Sequence, residues 1–456
     1  MPLLRRFATR PPDDGMSPMA WLPVAAVLLG AGWGSNQITP MLLVYSRTLG
    51  LGTGTLEAMF GFYALGLIPG LLLAGPLSDA GGRRVVVIPA AALSLLATVV
   101  LAAGAHTVGL LFLGRLLTGV SNGAIFAAGT AWLRELSVVP RGSTTRNGAV
   151  RRAAIAMTAG FAIGPLVAGL LAQWAPASRT VPYLPHIVLM AVVLPWLLKA
   201  PETVSVTRGH GARLSVPGVR SRRFRGVVVP MAPWVFAAPA IAFALLPRVV
   251  GANRVAEGIA VTAAITSLTA LAGVLIQPLA RRLEAQAVSN RAGSVGLLVL
   301  GAGMALAAVT AQAHQVWLLV PCAIVLGCAY GLCLVAGLVE IGRLASDHEL
   351  AGLTAAYYAL TYLGFGAPYL LALAAHLASY PVLLAITATL ALITAPVVAR
   401  RSAQHPENAR EEVLMRTSVQ KPLGSTSQNT NPSRSTTSPI SHAIGAEKIG
   451  PAWTKV

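Results

Sequence analysis

The chain has 456 residues, of which 55% are hydrophobic and only 11% charged, and its mean hydropathy is +0.69. A water-soluble exterior needs more polar surface than this composition supplies, so a soluble globular protein is excluded. The formal net charge of +19 raises nucleic acid as a partner, but the placement of the charges along the chain decides against it.

Apolar runs of 18 or more residues with few charges read as membrane-spanning helices. Twelve follow one another, near residues 20–44, 54–77, 84–103, 107–133, 150–174, 182–199, 227–249, 256–280, 291–312, 315–340, 349–375 and 378–400. They lack the alternation in ~10-residue segments that marks β-barrel strands. The first run is too long for a removable signal peptide and has no small-residue cleavage site, so it is read as a retained span.

The first span carries GWGSNQIT, which sets Asn36 and Gln37 slightly outward of its centre. Glu57 falls about three residues into the second span, and the polar knot GPLSDAGGRR (75–84) separates the second span from the third. Glycine suits the unusual backbone angles of such a turn. The fourth span opens into RLLTGVSNGA (115–124), with Arg115 about eight residues inside and Asn122 near the centre; Glu135 lies at its far end. A guanidinium at that depth is costly unless it faces water or a partner, which makes Arg115 a functional candidate; the competing reading is a structural arginine tied to backbone carbonyls. The fifth span holds GFAIGPLVAG, with Gly160, Gly164, Pro165 and Gly169 at spacings that let helices approach closely, and it is expected to form an interface between two halves. His186 stands early in the sixth span.

Residues 200–226 form the longest internal loop and divide the spans into six and six, giving an N-terminal segment 1–19, bundles at 20–199 and 227–400, and a tail at 401–456. The seventh span brings Trp234 and Phe236 and the tenth Tyr330, all near their helix centres. Cys322, Cys328 and Cys333 share the tenth span at a spacing that matches no metal motif, so they read as small packing residues. The tail is polar, without apolar period, and is expected to be disordered. QPLARR (277–282) follows GPLSDA by 202 positions, LGCAYG (326–331) follows TGVSNG (118–123) by 208, and Pro368 follows Pro165 by 203, a pattern that suggests duplication.

With the N-terminus placed inside, the cytoplasmic segments hold 29 of the 34 Lys and Arg, the other face holds Arg47, Arg179, Arg248 and Arg254, and Arg115 is intramembrane. That asymmetry is the positive-inside bias, which needs no nucleic acid and puts both termini and the 75–84 knot in the cytoplasm.

GPLSDAGGRR resembles the loop motif of the major facilitator superfamily, roughly G-x-L-x-D-R-x-G-R-[RK]. Gly75, Leu77, Asp79, Gly82, Arg83 and Arg84 match, while Ala80 replaces the usual basic residue. Arg115 and Gly119 match the fourth-helix motif. Gly160, Gly164, Pro165 and Gly169 match the fifth-helix motif, with Ala168 as the departure, and APET (200–203) is a familiar ending. The resemblance covers residues 20–400. It implies an all-α polytopic fold of two six-helix bundles related by pseudo-two-fold symmetry, rocking about a central site as a secondary transporter. It also implies a small-molecule substrate, proton coupling through Arg115, a plasma-membrane location as a monomer, and no cofactor. The fifth-helix motif is associated with antiporters and drug export; proton-coupled uptake stands as the alternative, and a non-transporting receptor or scaffold as a more remote one.

On that reading Asp79, Arg83, Arg84 and Glu135, with Gly75 and Gly82 in the turn, form a conformational latch, against which stands a plain positive-inside anchor. In the second copy Arg281 occupies the place of Asp79, so a latch there is weaker or differently built. The cavity candidates are Asn36, Gln37, Asn122, Trp234, Phe236 and Tyr330, each also explicable as ordinary packing; few polar groups among aromatics suit a largely apolar organic ligand. No Asp or Glu stands at the centre of any span, which leaves Glu57 and His186 beside Arg115 as coupling candidates. HExxH, GxSxG and clustered metal ligands are absent from the sequence, so neither an enzyme nor a metal site is expected.

Overall fold

The computed structural model describes residues 19–138, 144–204, 217–285, 290–345 and 350–403. Residues 1–18 of the expected N-terminal segment, 205–216 of the 200–226 loop and 404–456 of the tail lie outside the described residues. The described chain forms twelve rods. α1 is made of Leu22–Asn36 and Ile38–Leu49. It is followed by α2 (Thr53–Gly81), α3 (Arg83–His106), α4 (Val108–Ser137), α5 (Arg146–Trp174) and α6 (Leu184–Leu197). The second six are α7 (Phe224–Val250), α8 (Gly258–Ala285), α9 (Arg291–Ala313), α10 (Val316–Leu344), α11 (Leu350–Tyr362, Leu363–Gly366 and Ala367–Ala374) and α12 (Tyr380–Ala403).

Among the described residues nine of these are single helices long and apolar enough to cross a bilayer. α1 and α11 fall outside that measure: α1 is interrupted at Gln37, ahead of Pro40, and α11 passes through the tight turn Leu363–Gly366, ahead of Pro368. Pro40 has no N–H to give the carbonyl of Asn36, and Pro368 none to give Gly364, so the helix loosens one turn ahead of each ring. α6 misses it on length alone. Because α1 runs on to Leu49, Asn36 and Gln37 sit at its centre, a correction to their expected outward placement.

The helix pairings repeat between halves. α1 packs on α5, α2 on α4, α3 on α4 and α6; correspondingly α7 packs on α11, α8 on α10, α9 on α10 and α12. The halves meet through α2 with α11 and through α5 with α8, two pairings that exchange under the same six-helix shift. Glycine explains the tightest of these seams. A Cβ on Gly119 or Gly123 would strike the α2 backbone at Tyr63 or Leu67, and one on Gly327 or Gly331 would strike α8 at Thr269 or Gly273. The sequence repeat at 208 positions is therefore a repeated small-residue seam between second and fourth helices.

One end of the bundle carries Arg83, Arg84, Arg134, Arg223, Arg281, Arg343 and Arg400; the opposite end carries Arg47, Arg179, Arg248 and Arg254. We call them the Arg-rich and Arg-poor ends.

Candidate functional site

At the Arg-rich end the 75–84 segment is not a loop: α2 stays helical through Gly81, and the chain turns at Gly82 alone, at φ 101°. A Cβ at Gly82 would also meet the Glu202 carboxylate. That carboxylate accepts the backbone N–H groups of Arg83 and Arg84, both at 2.9 Å, so an acid from beyond α6 caps the open N-terminus of α3. Gly75 differs from its expected turn role, since it lies within α2 with open space where a Cβ would be. The Arg83 guanidinium bonds Asp79 at 2.5 Å and Glu135 at 2.7 Å, and Arg84 reaches the carbonyls of Ala200 and Leu198 at the end of α6. The knot thus clamps α2, α3, α4 and the end of α6 within one half. Asp79, 60% exposed in its side chain, is held by its own neighbour and not by the other half.

The second half builds its counterpart from other residues. Glu340, 205 positions after Glu135, pairs with Arg223 and, at 3.4 Å, with Arg343. Arg343 also holds Glu284 at 2.9 Å, and Glu284 accepts the Ala292 N–H at the start of α9. Among the described residues Arg281 hydrogen-bonds Gln277 of its own helix. The acid has moved from the Asp79 register to Glu284.

At mid-depth the first half holds a buried polar junction. Asn122 of α4 donates from Nδ2 to the Ala31 carbonyl and to Ser35 Oγ of α1, both at 2.9 Å, and Ser35 Oγ lies 2.9 Å from the Tyr63 hydroxyl of α2. Arg115, 1% exposed, donates to the carbonyls of Ser35 (3.3 Å) and Phe60 (3.1 Å) and lies over the Tyr63 ring at 4.6 Å. Its partners are carbonyls and a π face, which is the bonding of the structural reading. Asn36 is buried nearby in sequence, and Gln37 reaches Thr98 at 3.5 Å. Thr98 in turn bonds His186 Nδ1 at 2.8 Å, while His186 Nε2 meets the Gly30 carbonyl at 2.9 Å. A carbonyl only accepts, so Nε2 carries the proton and the ring is held as one tautomer.

Across the seam the second half presents rings. Phe236 stacks on Tyr362 (4.5 Å, 18°) and Phe365 (5.0 Å, 16°) and tilts against Tyr330 at 5.5 Å. Phe365 in the α11 break then meets Phe60 at 5.3 Å and Tyr63 at 5.9 Å, both edge-on. The break is what lets α11 lie on α7, where a Cβ on Gly364 would strike the Pro233 carbonyl. Trp234 does not join this cluster: two residues from Phe236 it leaves α7 about 200° away, and its ring makes none of these contacts.

Glu57 sits at the Arg-poor end and forms an ion pair with Arg248 of α7, both side chains at most 8% exposed. Further cross-half contacts flank it. Arg47 donates to the carbonyls of Ala252, Asn253 and Val255, Gln173 donates to the Ala256 carbonyl at 2.8 Å, and Ser267 donates to the Ala162 carbonyl. The fifth-helix motif divides its work. A Cβ on Gly160 or Gly164 would strike α1 at Leu29 or Trp33, so these two serve packing within their own half, a correction to the expected interface. Gly169 instead abuts α8, at Ala263, and Pro165 lies inside an unbroken helix. The three cysteines are free, and no metal-ligand group of His, Cys, Asp or Glu occurs among the described residues.

Sequence reasoning missed Ser35, Tyr63, Glu202, Arg248, Tyr362 and Phe365. A usable signal existed for the last two, because Tyr358, Tyr362 and Phe365 recur at i, i+4 and i+7, one helix face.

Comparisons agree with this architecture. No curated protein matches the chain in sequence. Among solved structures it resembles a POT family transporter in complex with 5-aminolevulinic acid, at 13% identity and a TM-score of 0.68, over 84% of this chain and 96% of that one. It also resembles the nucleoside transporter NupG, at 15% identity and a TM-score of 0.65, over 85% and 99%. At such identities these likenesses speak to the fold alone. The description "Major Facilitator Superfamily" matches residues 24–366, and with twelve rods in two pseudo-symmetric sets of six the chain belongs to that superfamily as a multi-pass membrane transporter.

Proposed function

We propose that the protein exports a small, largely apolar organic solute across the plasma membrane in exchange for protons. The bodies that move are residues 20–199 and 227–400, with the Arg-rich end and both termini in the cytoplasm, as the positive-inside bias favours. The observation that carries the reading is the buried Glu57–Arg248 pair, which ties the halves together at the Arg-poor end. Such a pair exists only while the carboxyl is ionised. Ionised Glu57 favours a seam shut toward the outside. A proton taken up by Glu57 from the outside releases Arg248 and favours the open seam from which the solute leaves; that proton returns with the empty protein and is released toward the cytoplasm as the Glu57–Arg248 pair re-forms. Arg115 and His186 then serve as positioning residues that set α1 against α4 and α6, and the coupling proton is assigned to Glu57.

Export is tested in inside-out membrane vesicles with an imposed pH gradient and a panel of lipophilic compounds. The expected result is solute uptake into vesicles with an acidic lumen, abolished by a protonophore and absent from vesicles lacking the protein. Uptake driven by an alkaline lumen instead would replace antiport with proton-coupled symport.

A further inference from the structure

We propose that the solute is a planar aromatic compound carrying no positive charge, so that cations are excluded from the central site. This rests on the transporter reading and names its substrate class. Four observations carry it.

First, the rings Phe236, Tyr330 and Tyr362 stand at the centres of α7, α10 and α11, opposite the Tyr63–Ser35–Asn122 junction at the centres of α2, α1 and α4. Both lie at mid-depth, where a transporter of two repeats holds its substrate. Phe236, Tyr330 and Tyr358 are only partly buried.

Second, the central third of every rod contains neither Asp nor Glu. A cation entering that layer would give up its hydration with no carboxylate to replace it, and an unpaired charge in such surroundings is strongly disfavoured.

Third, the charge on the junction that faces these rings is already positive. Arg115 lies over Tyr63 at 4.6 Å and Phe60 at 5.9 Å, and its named partners are carbonyls and rings, with no carboxylate among them. A second cation would meet its field without a neutralising group between them.

Fourth, the ring arrangement is not a cation cage. A cage turns several π faces toward one void. Here Phe236 lies nearly parallel to both Tyr362 and Phe365, at 18° and 16°, so their faces are turned to one another and a planar ring extends the stack. One buried atom of the facing junction, Asn122 Oδ1, has no hydrogen-bond partner and offers an acceptor to a neutral polar substituent.

The test uses purified full-length protein and three matched probes: 2-naphthalenemethanol (neutral), 2-naphthoate (anionic) and 2-naphthylmethyl-trimethylammonium (cationic). Equilibrium binding is measured in detergent and flux in proteoliposomes. The neutral and anionic probes should bind saturably, with the cation at least tenfold weaker. Phe236→Ala should weaken the neutral probe at least tenfold, and Phe236→Leu, which keeps the bulk, should weaken it at unchanged thermal stability. A cation that binds as tightly as the neutral probe overturns the proposal, as does a failure of all three to bind. Flux with cation preference would overturn only the substrate class. Saturable binding of the neutral probe with no flux would overturn only the transporter reading.

Discussion

Arg115→Lys is expected to insert and fold at near wild-type levels yet transport at about a tenth of the wild-type rate or less. The guanidinium reaches two carbonyls on two helices, Ser35 of α1 and Phe60 of α2, while lying flat on Tyr63. An ammonium keeps the charge but has neither the planar fork nor the same stacking. Losing one hydrogen bond to a buried charged group costs about 1.5–3 kcal/mol, roughly ten- to a hundredfold in any equilibrium that depends on it. Arg115→Ala should be worse, because it also leaves a cavity beneath Tyr63. Expression, thermal stability and transport measured on the same preparations check this. Wild-type transport by both variants would mean that the α1–α2–α4 junction needs no arginine.

Arg248→Ala is expected to swing the conformational balance toward opening at the Arg-poor end. It strands the Glu57 carboxylate, which is fully buried in the closed seam. Breaking a buried pair by removing one partner costs about 3–5 kcal/mol, which corresponds to a shift of about a hundredfold or more. Glu57→Gln should act in the same direction and also remove the response of opening to external pH. The readout is thiol reactivity of Ala263→Cys, a buried position that faces Gly169 of the other half and is reached only when α5 and α8 part. Reactivity should rise in Arg248→Ala and in Glu57→Gln and return toward the parent level in the charge-swapped pair Glu57→Arg with Arg248→Glu. Unchanged reactivity in all three would remove the lock from the account.

The twelve rods were legible in hydropathy because each must satisfy its backbone internally and show apolar surface to lipid. The breaks in α1 and α11 were legible in principle from Pro40 and Pro368, whose missing donors act one turn upstream. What one sequence could not show is pairing through space. Arg248 counted only as one of four basic residues at the Arg-poor end until its helix was set against Glu57. Glu202 was visible as the end of APET, but its work as the cap of α3 depends on how the chain returns after α6. For Arg115 the sequence left two readings; the bonding follows the structural one, while position at the seam keeps the residue beside the proposed site. Gly160 and Gly164 illustrate the same limit, since their spacing announces close approach without naming the partner helix.

The central claim, that the two bundles must part at the Arg-poor end for solute to cross, is tested most directly by tethering them there. Gln173 of α5 donates to the carbonyl of the exposed Ala256, just ahead of α8, at 2.8 Å. Cysteines in place of Gln173 and Ala256, in a chain with Cys322, Cys328 and Cys333 replaced, can be joined by a short reducible bis-methanethiosulfonate and assayed for transport before and after release. Transport should stop when the linker is in place and return when it is reduced, whereas a tethered protein that carries solute at the untethered rate would contradict the account.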